Sequence, residues 1–418
     1  MTTPIARASP EQIEAKFGGV HAWAIWALAV GFLMLLSLQP GYAVTNIYIG
    51  RDLALTIAQV GVVSAVYTWI FAVCQFFGGA LLDRLGAGRV LPACIGLVTL
   101  GTFLLANANS FGMLLVAQAV FALGACCGFV GAGYISGQWF GRHQFSFMFG
   151  LAQFAASMAI AFSMNLIGWL LGFLSWRALF NYVGLLGIVL TILGALFIRN
   201  PKPVEGRGLQ DGIGAFALSV MRKLLAVGSI PHLWVATLIT ALTTAAFFWY
   251  GFVWGARLLI VRGLKEPAAV LGVSLGWIGF AIGAVAFTRL SDVLHQRKLP
   301  LILGTALQIA MALVIFYVSN LEPVALLGAS FLMGFGASSA MLGYSTAADV
   351  IKPDQLGTSV AMINGFTFII SGFLMSRSVI VAQHAAVPIV IALTIALLFT
   401  FLIKETFPGF GQFRRRGD

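Results

Sequence analysis

The sequence predicts an all-α membrane protein of twelve transmembrane helices in two six-helix repeats. Three observations carry that expectation. The 418-residue chain is 60% hydrophobic and 9% charged, whereas soluble domains hold roughly 25% charged residues. No charge interrupts the runs between Asp52 and Asp83 or between Arg89 and Arg142, so charge is confined to short turns. Residues also recur at a near-constant offset of half the chain. Phe121, Gly124, Gly133 and Tyr134 return as Phe331, Gly334, Gly343 and Tyr344, Gly41 as Gly251, and Gly61 as Gly272.

Spans of about 20 residues cross the hydrocarbon. They are expected at 23–48, 58–82, 88–107, 110–137, 146–172, 175–198, 233–260, 268–290, 299–319, 323–346, 357–379 and 385–404. These are called spans 1 to 12. The expected organisation is an N-terminal segment 1–22, a six-helix bundle 23–198, a linker 199–232, a second bundle 233–404 and a basic tail 405–418. The N-terminal segment has no apolar core or small-residue cleavage site of a signal peptide. In the linker, Arg199-Asn200-Pro201-Lys202-Pro203 stops a helix. Ile213, Phe216, Ala217, Val220, Met221 and Leu224 then follow at helical spacing, with Arg222 and Lys223 nearby, as a helix lying on a membrane surface does.

Charge orients the chain. Six of the 24 Lys and Arg (Arg51, Arg177, Arg257, Arg262, Lys265 and Arg377) fall on one side and the other 18 on the opposite side. The positive-inside bias puts both termini in the cytoplasm of an inner membrane. The net charge of +11 is explained by that bias and does not call for nucleic acid. The expected partners are a small-molecule substrate and the bilayer, with the protein a monomer. No cofactor or metal is expected, and no enzyme: no nucleophile–base pair or phosphate loop appears.

Between spans 2 and 3 lies Gly79-Ala80-Leu81-Leu82-Asp83-Arg84-Leu85-Gly86-Ala87-Gly88-Arg89, with a degraded copy around Arg289 and Asp292. Together with the two repeats, Gly137 to Arg142 after span 4, and Trp176-Arg177 opening span 6, this loop resembles the major facilitator superfamily over about 380 residues. Two departures are visible: Ala87-Gly88 stands where basic residues are usual, and Val293 and His295 replace Arg and Gly in the second copy. The resemblance implies that the loop carboxylate, Asp83, sits against the N-terminus of span 11 and latches an outward-open state. Gly79, Arg84, Gly86, Arg89 and Asp292 belong to the same expected latch. It also implies that spans 1, 4, 7 and 10 line a pathway.

No Asp, Glu, His, Lys or Arg falls near the middle of any span, and such residues are the usual proton relays of transporters. The expected substrate contacts are therefore neutral or aromatic: Gln39, Tyr42 and Asn46 in span 1, Tyr67 in span 2, Gln153 in span 5, Trp249 and Tyr250 in span 7, Tyr344 in span 10 and Asn364 in span 11. Arg257 joins them as part of an outer cationic rim. Gln153 and Asn364 are pseudo-equivalent, 211 positions apart. The function expected is a transporter of a small polar solute, an organic anion or similar metabolite, working by alternating access. Three alternatives stay open. One is a drug/proton antiporter, although span 5 lacks the proline of the corresponding Gly-Pro run. Another is a soft-metal carrier using Met158, Met164, Met333, Met341, Met362, Met375 and Cys126-Cys127. The third is a sensor or assembly factor that transports nothing.

Overall fold

A computed structural model describes residues 19–37, 42–201, 213–375 and 382–408. Gln39, Arg377 and the Arg414–Arg416 tail lie outside them, as do the side chains of Tyr42 and Asn46. The described residues contain helices and no strand. Ten helices are long and apolar enough to cross a membrane, and two shorter apolar ones, Val20–Leu36 and Ala386–Leu402, stand where spans 1 and 12 are expected. The chain is therefore a multi-pass membrane protein.

Span starts reflect local chemistry. In the first half, hydroxyls cap each even span: Thr56 in a reciprocal box with Gln59, Ser110 on the amide of Met113, and Ser175 on that of Ala178. Such caps satisfy amides that no helical carbonyl reaches. The second half opens spans 8 and 10 with a proline in the first turn, where a missing N–H costs nothing.

Breaks also repeat. Span 4 is Phe111–Ala125 followed, across Cys126 and Cys127, by Gly128 onward. Span 10 breaks at the 3-10 turn Ser338–Ala340. Span 7 is interrupted by a π-helical turn, Trp249–Trp254. The helix Gly128–Leu170 holds both the end of span 4 and span 5, bent at Gly141, whose φ of 71° suits glycine.

Span 2 packs along span 11, and span 5 along span 8, so these four helices form the seam between the halves. The outer face of span 6, including Tyr182, Leu185, Val189, Ile192 and Leu196, is exposed. A continuous apolar surface of that kind faces lipid. The linker helix spans Ile213–Gly228. Its exposed apolar side chains are Leu218, Met221 and Leu225, while Val220 and Val227 turn inward. Ser219 and Lys223 bond to the bundle, and the side chains of Ile213 and Phe216 lie outside the described residues.

Candidate functional site

The seam is sealed at one end, where the linker leaves and returns. Asp83 closes span 2 and is 8% exposed. Its Oδ1 accepts the Gly357 amide at 2.9 Å, and its Oδ2 accepts the Thr358 amide at 2.8 Å and the Thr358 hydroxyl at 2.7 Å. Those amides open the helix Leu356–Met375, so a carboxylate meets the positive end of a helix dipole. Gly79, one turn earlier, lies against the Gly357 backbone with no room for a Cβ. Gly86, at φ 78°, turns the chain into span 3, and Gly88 donates its amide to Asn200 at 3.2 Å. Arg84 hydrogen-bonds Ser219 of the linker helix, and Lys223 of that helix donates to the Asp354 carbonyl at 3.0 Å. Arg89 is exposed.

The mate of Asp83 in the repeat sits in an ion-pair network. Asp292 pairs with Arg297 at 3.2 Å, inside its own half. Arg297 is 2% exposed and also holds Asp349 at 3.3 Å. A buried guanidinium needs its carboxylates close by. The second half also meets the first directly: Arg289 lies 3.8 Å over the Phe147 ring, Ser345 bonds Ser146 at 2.9 Å, and Gly150 fits closely against Ala284 and Thr288.

Above this seal lies a cavity of about 310 Å³ shared by both halves. It is lined from spans 1, 2, 4, 5, 7, 8, 10 and 11. Tyr67, Gln153, Tyr344 and Asn364 are in its wall, together with Thr68, Thr244 and Ser371. Among the described lining residues there is no Asp, Glu, His, Lys or Arg. Asn364 donates to Gln75 at 3.1 Å and lies 3.4 Å from the Tyr344 hydroxyl. Gln153 donates to Ser157 at 2.8 Å.

Trp249 and Tyr250 do not line the cavity. They are 1% and 2% exposed, and the Tyr250 hydroxyl bonds Ser330 at 2.7 Å inside the second half. The cavity face of span 7 is Thr244, Phe248 and Phe252. One residue along a helix is a 100° rotation, and the π turn adds its own phase shift, so the polar-tipped rings point into the bundle. Trp277 seats its indole N–H on the Gly251 carbonyl at 3.0 Å and presents a face to the cavity. Arg257 is exposed and is not a lining residue. The aromatic lining of Phe71, Phe129, Phe280 and Phe368 was not singled out from sequence, since 35 phenylalanines hide those that face inward.

At the end opposite the linker, Asn165 bonds Ser274 at 3.3 Å and Trp254 donates to the Met375 carbonyl at 2.9 Å. Asp52 pairs with Arg177 and accepts from Trp176. The Arg177 hydrogen bond holds the Asp52 carboxyl below the usual carboxylate range. Cys94, Cys126 and Cys127 are buried free thiols, and among the described residues no group of three His, Cys, Asp or Glu is placed to hold a metal ion.

The family profile described as Major Facilitator Superfamily matches residues 27–376. A probable galactarate/D-glucarate transporter of Bacillus subtilis is 24% identical over 89% of this chain and 90% of its own length. The D-galactonate transporter of an Escherichia coli strain is 22% identical, over 78% of this chain and 81% of its own. In fold, the chain matches the E. coli fucose:proton symporter with a TM-score of 0.67 at 16% identity, covering 91% of this chain and 98% of that one.

Proposed function

This chain belongs to the major facilitator superfamily, and from that premise we propose that it carries a small organic anion by alternating access, through the cavity between its halves. It is a transporter and not an enzyme. The observation that carries the proposal is the cavity itself: it is shared by both halves, sealed at the linker end by the Asp83 clamp, and lined by amide, hydroxyl and ring groups. The relatives named for galactarate, D-glucarate and D-galactonate support an organic acid. In this reading the linker end faces the cytoplasm of an inner membrane, both termini are cytoplasmic, and the protein works as a monomer.

The mechanism follows from the seam. Substrate enters from the end opposite the linker and is enclosed at mid-depth. The clamp then releases Gly357 and Thr358, the linker ends of spans 2 and 11 part, and the cavity opens inward. With no acid or histidine in the described lining, no side chain there takes up or gives off a proton between about pH 5 and 8. Substrate gradient and membrane potential then drive the cycle. Counterflow in proteoliposomes without an ion gradient tests this. Saturable exchange of organic acids that ignores an imposed pH gradient is the expected result. Accumulation tracking that gradient at constant potential refutes the uncoupled cycle, and exchange of cations alone refutes the organic anion.

A further inference from the structure

The wall chemistry of the cavity narrows the solute further than its relatives do. Six rings form an unbroken aromatic belt across the seam. Tyr67 and Phe71 of span 2 stack at 5.4 Å, Phe71 meets Phe368 of span 11 at 4.7 Å, and Phe368 meets Phe248 of span 7 at 5.7 Å. Phe248 and Phe252 then close on Trp277 of span 8 at 5.8 and 4.8 Å. The belt takes rings from both halves, so an occupant held by it is held by both.

The amide side chains in the lining are two, and both stand towards the seal, while the lining hydroxyls of Ser37 and Ser371 donate to carbonyls of their own helices. Gln153 and Asn364 each stand seven residues from a seal residue, Ser146 and Gly357, or about 10 Å along a helix. Each has one amide N–H engaged, by Ser157 and by Gln75, and one left over. The Tyr344 hydroxyl already donates to Asn364 Oδ1 at 3.4 Å, so the two remaining amide N–H groups form the neutral donor set, enough for the oxygens of a single carboxylate. It is too small for a polyhydroxylated diacid. Such a solute would press its hydroxyls and a second carboxylate against rings, and unpaired polar groups are penalised there. A volume of about 310 Å³ also sits at the small end of ligand pockets, roughly 300–1,000 Å³.

We infer that the solute is a monocarboxylate with an apolar, ring-sized body, its carboxylate towards Gln153 and Asn364 and its body within the belt. The inference rests on the organic-anion reading and refines it. The sugar diacids named for the relatives are, on this chemistry, poor substrates of this protein.

The experiment is counterflow with the full chain in proteoliposomes, using phenylacetate, D-glucarate, phenylacetamide and phenethylamine as probes. Phenylacetate should exchange saturably, with D-glucarate failing to compete even in large excess. Phe368→Leu keeps apolar volume and loses the ring, and should raise the half-saturation concentration roughly three- to tenfold. Gln153→Glu places a like charge beside the carboxylate and should abolish phenylacetate exchange while the protein remains monodisperse. Exchange of D-glucarate without phenylacetate overturns the inference and leaves the organic-anion carrier standing. Exchange of phenylacetamide or phenethylamine without either acid overturns both. Exchange of none of the four by folded protein, or phenylacetate exchange untouched by both substitutions, overturns the inference.

Discussion

Asp83→Asn removes the charge that three donors of span 11 converge upon. A hydrogen bond to a charged group contributes about 1.5–3 kcal/mol, so the substitution should shift the population about tenfold or more towards the inward-open state. Folding should survive, since the bundle does not depend on the clamp. Labelling of cysteines introduced at cavity positions, from the linker side, measures the shift; unchanged labelling removes the latch role. Gly79→Val should act in the same direction, because any Cβ there meets the Gly357 backbone. At the opposite end, the depressed carboxyl of Asp52 contributes stability above its unfolded-state pKa, which is lost as pH falls through the lower folded value. Asp52→Asn should remove that acid-side dependence from the melting curve.

Span 7 shows how an element sets which residues meet the solute. The π turn Trp249–Trp254 presents Phe248 and Phe252 to the cavity and buries Trp249 and Tyr250. Gly251 lets Trp277 lie flat on the turn. Gly251→Ala should push that indole aside, costing about 1–3 kcal/mol as overpacking does, and should weaken substrate binding as well. Thermal unfolding and the half-saturation concentration of counterflow check the two effects; a lowered melting temperature with unaltered half-saturation removes Trp277 from the binding wall. Gln153 and Asn364, chosen from sequence for their matched positions, do line the cavity. A repeat offset identifies equivalent depth and face without coordinates, provided neither helix changes phase between the compared residues. The π turn breaks that condition in span 7.

For the whole molecule, the rocking cycle requires the linker-end seal to open. Ser146 and Ser345 face each other across it with oxygens 2.9 Å apart, close enough for a disulfide between cysteines at the same positions. The double variant Ser146→Cys/Ser345→Cys should exchange substrate when reduced and stop when oxidised, with activity restored by reductant. Full exchange in a fully crosslinked sample refutes alternating access through this seam.

Membrane spans, the duplicated halves and the place of Asp83 at a span end were legible in the sequence because each leaves a one-dimensional trace. Hydrocarbon length imposes apolar runs, duplication imposes an offset, and a charge beside glycines at a span end has to sit near water. Which rings face the cavity left no such trace. In a chain 60% hydrophobic, lipid-facing, core and cavity phenylalanines share one composition, and only the packed seam sorts them. The surroundings of Asp292 were likewise decided in three dimensions. Both aspartates end an even span, but Arg297, Asp349 and Glu405 converge beside one of them, and residues so far apart in the chain meet only once the bundle is packed.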